Sequence, residues 1–172
     1  MELSSKGLRL IAQFEACVWE TYPDGDNMAW GFGHNDPELR PHMKISFKDA
    51  ITLLREDIKS RVADVNKLLK VSVTQGQFDA FVSLYYQKGN TYAPIAADAM
   101  NDAATGLAAS MWPYFARNAK REWKKGLRDR RLREQKVFLT DDYGDVSWFQ
   151  VWHHGPVNRP PDEIYHPRED EF

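Results

Sequence analysis

The chain is 172 residues long, 42 % hydrophobic, 13 % aromatic and 28 % charged, with a formal net charge of -2 and a mean hydropathy of -0.61. Such a length can bury a core as one domain, and the composition is that of a globular chain rather than a disordered one. No apolar run reaches the length of a membrane span and the first residues lack a charged-then-apolar leader pattern. Cys17 has no second cysteine to pair with, so a packed thiol and synthesis in a reducing cytoplasm are expected.

Ser4 and Ser5 can cap a first helix. Its apolar positions Leu8, Leu10, Ile11, Ala12, Phe14, Cys17, Val18 and Trp19 fill one wide arc at helical spacing, opposite Lys6, Arg9, Gln13 and Glu20. Glu15 falls inside the apolar arc. A carboxyl in such surroundings is disfavoured in its charged form, which is what a general acid working near neutral pH requires. The plainer reading is a Glu paired with a Lys or Arg, or lifted out of the arc by a local irregularity. Asp24 follows nine residues later in the turn-rich stretch Tyr22-Pro23-Asp24-Gly25-Asp26-Asn27. A proton-holding Glu and a nearby Asp in a wetter loop form the two-carboxylate arrangement of glycoside hydrolysis.

Met28 to His34 reads as a short strand in which Trp30 and Phe32 alternate with glycines, so the turn at Pro23-Asp24-Gly25 joins two short antiparallel strands. Ser46 with Asp49 opens a long helix with apolar positions Ile51, Leu54, Ile58, Val62, Val65 and Leu69. Thr74 and Gln77 form a second capping box before Phe78, Phe81, Val82 and Tyr85, in a helix ending near Gly89. Pro94 fits the first turn of a short helix, Pro113 marks another helix boundary, and the small residues from Ala96 to Ala109 suit close helix packing.

From Lys120 to Lys136 there are nine Lys or Arg against three acids, and from Thr140 to Phe172 two Arg against eight acids. The opposite signs suggest a tail that folds back and partly neutralises a basic helix, while a basic face could draw the protein to anionic envelope polymers. No aromatic-interleaved motif accompanies the charge, so nucleic-acid binding is not expected. Trp148, Phe149, Val151 and Trp152 should pack on the body. His153 and His154 could join His166 around a metal, but their irregular spacing and the lack of Cys favour exposed histidines.

Three blocks, in order, resemble the phage-type lysozymes, a family with a Glu-x8-Asp motif followed by Thr-x-Gly-x-Gly-His. Here they are Phe14-Glu15-Ala16-Cys17 with Tyr22-Pro23-Asp24-Gly25 and Trp30-Gly31-Phe32-Gly33-His34; Thr74 to Phe81, similar to the family's central buried helix; and Trp123 with Gly126 to Glu134, similar to its last helix. The match runs from about Leu3 to Leu139. It implies a two-lobed, lysozyme-like α+β fold, predominantly α-helical. Its small N-terminal β-hairpin lobe would span about 15–45, its linking helix about 46–70 and its helical lobe about 74–139, with 140–172 as an extension packed on the body.

The resemblance further implies an inverting muramidase cleaving the β-1,4 bond between N-acetylmuramic acid and N-acetylglucosamine in peptidoglycan. Glu15 would protonate the leaving oxygen, and Asp24 would activate water from the opposite face. Gln87 and Tyr86, at the end of the central helix, and the aromatics Trp30 and Phe32 are candidate substrate contacts, although Gln87 could equally cap nearby backbone. His34 would be structural, tying the small lobe to the long helix through Asp57 or Asp64. No metal or organic cofactor is expected. Peptidoglycan is the expected partner of a monomer held in the host cytoplasm until it reaches the wall.

Two departures from the family pattern bear on mechanism. The residue after Glu15, commonly Gly, is Ala16, a mild change because a methyl group fits most helices. The Thr that helps hold the attacking water is replaced by Ala29, and the loop after Asp24 is one residue shorter. Either Asp26 or Asn27 shares the water, or the site is weakened and the chain is a wall-binding or virion structural protein.

Overall fold

The structure is a computed structural model and describes residues 1–117, 122–155 and 159–172. The fold is α+β and mainly helical. Its elements are α1 (Ser5–Glu15), β1 (Cys17–Asp24), β2 (Asn27–Gly31), β3 (His34–Asp36), α2 (Phe47–Leu68), α3 (Gln75–Lys88), α4 (Ala93–Asn101), α5 (Thr105–Met111), α6 (Lys125–Thr140), β4 (Phe149–Trp152) and β5 (Glu163–Tyr165). They form two compact units, one of Met1–Gly7 with Lys59–Gly144, the other of Leu8–Ile58 with Asp145–Phe172. None of the helices among the described residues is long and apolar enough to cross a membrane.

The unit holding Leu8–Ile58 is built on a five-stranded sheet of order β3-β2-β1-β4-β5. β1 and β2 form an antiparallel hairpin closed by the two-residue turn Gly25-Asp26, where Gly25 takes φ +61°. The expected single strand from Met28 to His34 is instead two strands. Gly31 at φ +57° and Gly33 at φ +84° reverse the chain, and the Gly33 N–H donates to the Trp30 carbonyl at 3.1 Å.

β4 pairs parallel with β1, Cys17 opposite Val151 and Val18 opposite Trp152, and β5 pairs antiparallel with β4. Residues 140–172, expected as one extension, therefore divide. Asp145–Phe172 supplies two strands of the sheet, and Thr140–Gly144 belongs with the helices. The core of this unit joins Ile11, Cys17, Val18, Ala29, Ile51 and Leu54 to Phe149, Val151 and Trp152, each with at most 4 % of its surface exposed. Phe47 meets Phe32 edge-on at 5.8 Å and Phe149 at 5.3 Å, and Phe149 stacks on Phe172 at 5.4 Å. Burial pushes the Cys17 thiol up to about 12.

The first helix stops earlier than its apolar arc suggests. It ends at Glu15, Ala16 sits at φ +57°, and Cys17 already belongs to β1. Cys17, Val18 and Trp19 are thus strand residues, so the Leu8-to-Trp19 arc is not one helical face. Ala16 occupies the left-handed region, where a side chain costs about 1 kcal/mol relative to glycine. The family's usual Gly fits that position, and Ala is not the mild change a helical position would make it. Ala16→Gly is expected to raise Tm by roughly 2–4 °C, checked by thermal unfolding followed by circular dichroism.

The other unit packs α3 among the remaining helices. The Thr74 hydroxyl accepts from the Gln77 N–H at 3.2 Å while the Gln77 side chain accepts from the Thr74 N–H at 2.9 Å, the expected capping box. Gly76 has no side chain because Asp141 comes in against it. The Asp141 carboxylate accepts from the Gly76 N–H at 2.6 Å, and a Cβ on Gly76 would stand 2.3 Å from the same oxygen. A carboxylate there also complements the positive end of the helix dipole. Phe78 and Phe81 of α3 and, from the rest of this unit, Ala96, Ala97, Trp112 and Phe138 are almost fully buried, with the alanines of α4 and α5 allowing close approach.

The basic stretch is only partly a solvated face: Lys124, Lys125, Arg128 and Lys136 are exposed, while two of its arginines turn inward. Arg130 is 4 % exposed, and Arg131 and Glu134 are fully buried. Glu134 accepts from Arg130 Nε at 3.0 Å, Arg131 Nη2 at 2.7 Å, the Ser83 hydroxyl at 2.6 Å and the Trp112 indole N–H at 3.2 Å. From the acidic stretch, Asp142 reaches α6 through Lys136 at 2.6 Å. Two of its other carboxylates pair with arginines of the stretch itself, Asp162 with Arg159 at 2.6 Å and Glu171 with Arg168 at 3.5 Å. Lys120 and Arg121, at the start of the basic stretch, lie outside the described residues, as does Pro156.

Candidate active site

Glu15 and Asp24 stand at element ends in the same unit. Glu15 closes α1 and is half-buried rather than sunk in an apolar stripe, because the helix stops there. Asp24 closes β1 and is exposed, paired across the turn with Asn27. Between them in sequence is Tyr22, and its phenol feels both. Burial first, then the charges of Asp24 and Glu15, hold its pKa above the ordinary tyrosine value. Two carboxyls thus act electrostatically on one partly buried ring, one at the end of a helix and one at the mouth of a hairpin. That asymmetry of surroundings is what acid and base roles at a glycosidic bond require.

The sheet register fixes the neighbours of Asp24. Tyr22 lies opposite Ala29, and Ala29 opposite Asn35, so these three share a face; Asp24 and Asn27 continue that face toward the turn. Asn35 Nδ2 donates to Asp24 Oδ2 at 3.2 Å and to the Asp24 carbonyl at 3.3 Å. Ala29 is fully buried and offers only a methyl group. Asp26 and Asn27 are exposed in and beside the turn, with no side-chain hydrogen bond to Asp24 among the described residues. Behind Tyr22 lies the backbone of Gly155. A Cβ there would stand 2.6 Å from Tyr22 Cβ, so the segment after β4 closes against the hairpin.

The other candidates separate. Phe32 is 3 % exposed and packs edge-on against Phe47 and Phe149, which assigns its ring to the core and away from any sugar. Trp30, on the opposite face of β2 from Ala29, is half-buried, and its indole N–H has no partner among the described residues. Tyr86 and Gln87 belong to the helical unit near the end of α3, both half-buried, and the Gln87 carbonyl oxygen is buried without a partner among the described residues.

His34 takes the structural role expected of it, its Nδ1 lying 3.0 and 3.1 Å from the two carboxylate oxygens of Asp57 on α2. Asp64 instead accepts from the Tyr85 hydroxyl at 3.1 Å. His153 stacks on Trp19 at 5.2 Å and His154 lies 3.2 Å from Glu20. Among the described residues no group of three His, Cys, Asp or Glu could hold a metal ion.

Asn35, Tyr22 and Gly155 are the site residues that sequence reasoning missed. A three-strand reading with its second reversal at Gly31 and Gly33 would have put Asn35 opposite Ala29. No local signal marks Gly155, whose contact depends on the long-range pairing of β4 with β1.

A helix-terminal Glu and a strand-terminal Asp on a small sheet, in a chain with a second, helical unit, define a lysozyme-type fold. The comparisons agree: the phage lysozyme family model matches residues 12–134. The chain belongs to the phage lysozyme family. The endolysin of Bacillus phage PZA is 36 % identical over 152 residues, covering 86 % of this chain and 58 % of that protein. Among solved structures, the endolysin from Escherichia coli O157:H7 phage FAHEc1 superposes with a TM-score of 0.76 at 31 % identity, over 84 % of this chain and 98 % of that one. The muramidase domain of SpmX from Asticaccaulis excentricus gives 0.73 at 28 % identity, over 81 % and 98 %. The chain spans 58 % and 57 % of the lengths of the two Bacillus phage endolysins it matches.

Proposed function

We propose that this chain is an inverting muramidase that cuts the β-1,4 bond between N-acetylmuramic acid and N-acetylglucosamine in peptidoglycan, for lysis of a bacterial cell. The observation that carries the reading is the pair of carboxyls, Glu15 and Asp24, both acting on Tyr22 from differently solvated positions. Glu15 gives its proton to the leaving glycosidic oxygen as the bond to the anomeric carbon breaks. Asp24 takes a proton from the water that attacks that carbon from the opposite face, and the new anomeric hydroxyl has inverted configuration. Inversion needs the carboxyls roughly 6.5–9.5 Å apart, room for one water beside the sugar. The chemistry is proton transfer and electrostatic stabilisation by protein groups, and calls on no cofactor. Gln87 and Tyr86, with Trp30, are the proposed sugar contacts. The working form is a monomer acting on peptidoglycan after leaving the host cytoplasm, with no nucleic-acid partner.

The test is digestion of purified peptidoglycan with two readouts. New reducing ends, assayed chemically, are expected with N-acetylmuramic acid at the cut. Proton NMR of the first products is expected to show the α-anomer before mutarotation. Initial β-anomer would replace inversion by retention, and absence of new reducing ends would overturn the muramidase assignment.

A further inference from the structure

The geometry points to Asn35 as a positioning residue for hydrolysis: it holds the Asp24 carboxylate in the orientation that activates water, in place of the hydroxyl missing at position 29. This rests on the two-carboxylate reading above. An ionised carboxylate and a backbone carbonyl are acceptors only, so the Asn35 group engaging both Asp24 oxygens must be the amide nitrogen. One amide therefore grips Asp24 at two points, side chain and main chain, and fixes the side chain relative to its own strand. With Oδ2 occupied by Asn35, Oδ1 is the oxygen left to take the proton of water.

The shorter turn explains why this residue has the task. A two-residue loop at Gly25-Asp26 sets the register that puts Ala29 opposite Tyr22. There its side chain is wholly buried and can present nothing to water. The reversal through Gly31 and Gly33 then brings β3 back with Asn35 opposite Ala29 and within reach of Asp24. A polar group returns to the face from which one was lost, carried on the next strand. Asp26 and Asn27, nearer in sequence, make no such contact among the described residues.

The experiment measures turnover of purified peptidoglycan by the wild-type chain, Asn35→Ala, Asn35→Asp and Asn35→Ser, with Glu15→Gln as reference and Tm recorded for each. Misplacement of a catalytic group by about an ångström can cost about a hundredfold, and an interaction used only in the transition state lowers kcat without raising KM. Asn35→Ala is expected to lower kcat by about tenfold to a hundredfold with KM and Tm unchanged. Asn35→Asp keeps the shape but has no donor, and is expected to fall at least as far. Asn35→Ser keeps a donor and is expected to recover part of the loss.

Wild-type kcat in both Asn35→Ala and Asn35→Asp, with Glu15→Gln inactive, would overturn the proposal. So would losses in all three variants that simply track a fall in Tm. Full turnover by Glu15→Gln would instead bring down the two-carboxylate reading itself, whatever the position-35 variants do.

Discussion

Glu134→Ala is expected to lower the stability of the helical unit by about 3–5 kcal/mol, because it strands two buried guanidinium groups. Arg130 and Arg131 both point their charge at this carboxylate, and the Ser83 hydroxyl and the Trp112 indole N–H converge on it as well. Removing the acceptor leaves four donors with poorer partners in a place that water does not reach. The measurement is urea unfolding followed by tryptophan fluorescence, since Trp112 sits in the cluster. A loss below about 1 kcal/mol would show that the guanidinium groups reach solvent. The contrast is Lys125→Ala on the same helix. Lys125 and Asp129 are 3.0 Å apart but 91 % and 57 % exposed as side chains, and a pair of that kind contributes about 0–1 kcal/mol.

The second large effect concerns the strands contributed by the last part of the sequence. Ending the chain after Gly144 is expected to abolish cooperative unfolding of the sheet unit and to leave it loosely packed. Phe149, Val151 and Trp152 would be lost, each an almost fully buried side chain worth roughly 1.5–3 kcal/mol in burial alone. The open edge of β1 would follow, with Phe32 and Phe47 stripped of their ring partner. That sum approaches the whole stability of an ordinary domain, about 5–15 kcal/mol. Cys17 supplies the readout, since it lies opposite Val151 and its buried thiol is pushed up to about 12. The full chain is expected to resist a thiol reagent at pH 8 and the shortened chain to react within minutes. A shortened chain whose thiol stayed protected would show that β4 is not what covers it. Cutting after Gly144, rather than at Leu139, spares Asp141 and Tyr143, which hydrogen-bond to Gly76 and Asp79 in the other unit.

Much of this was legible where the signal is local. Thr74 and Gln77 announce a helix start because a capping box needs only four adjacent residues. Glu15 and Asp24 are picked out by type and spacing, and His34 by its place after Gly31 and Gly33. What the sequence hid depends on distant or conformational facts. The apolar arc from Leu8 to Trp19 reads as helix because a helix and a buried strand can share composition. Only the positive φ at Ala16 separates them. Lys120 to Lys136 reads as a charged surface because composition does not say that Arg130 and Arg131 close on Glu134 inside the core. The pairing of β1 with β4 leaves no local mark, since strands so far apart in sequence meet only in the folded chain.

That pairing also sets a timetable. On the ribosome β1 emerges early, while the strand that covers its edge is made only after every helix of the other unit. Until then the hairpin has one side unzipped, with Cys17 and Val18 facing no partner there. Closing so long a loop is slow, since the entropy of bringing distant segments together must be met before the contact rewards it. The helical unit takes most of its residues from one continuous stretch, Lys59–Gly144, and has no such wait. The hairpin that carries Asp24 therefore becomes rigid only once β4 has been made, later than the stretch that folds into the helical unit.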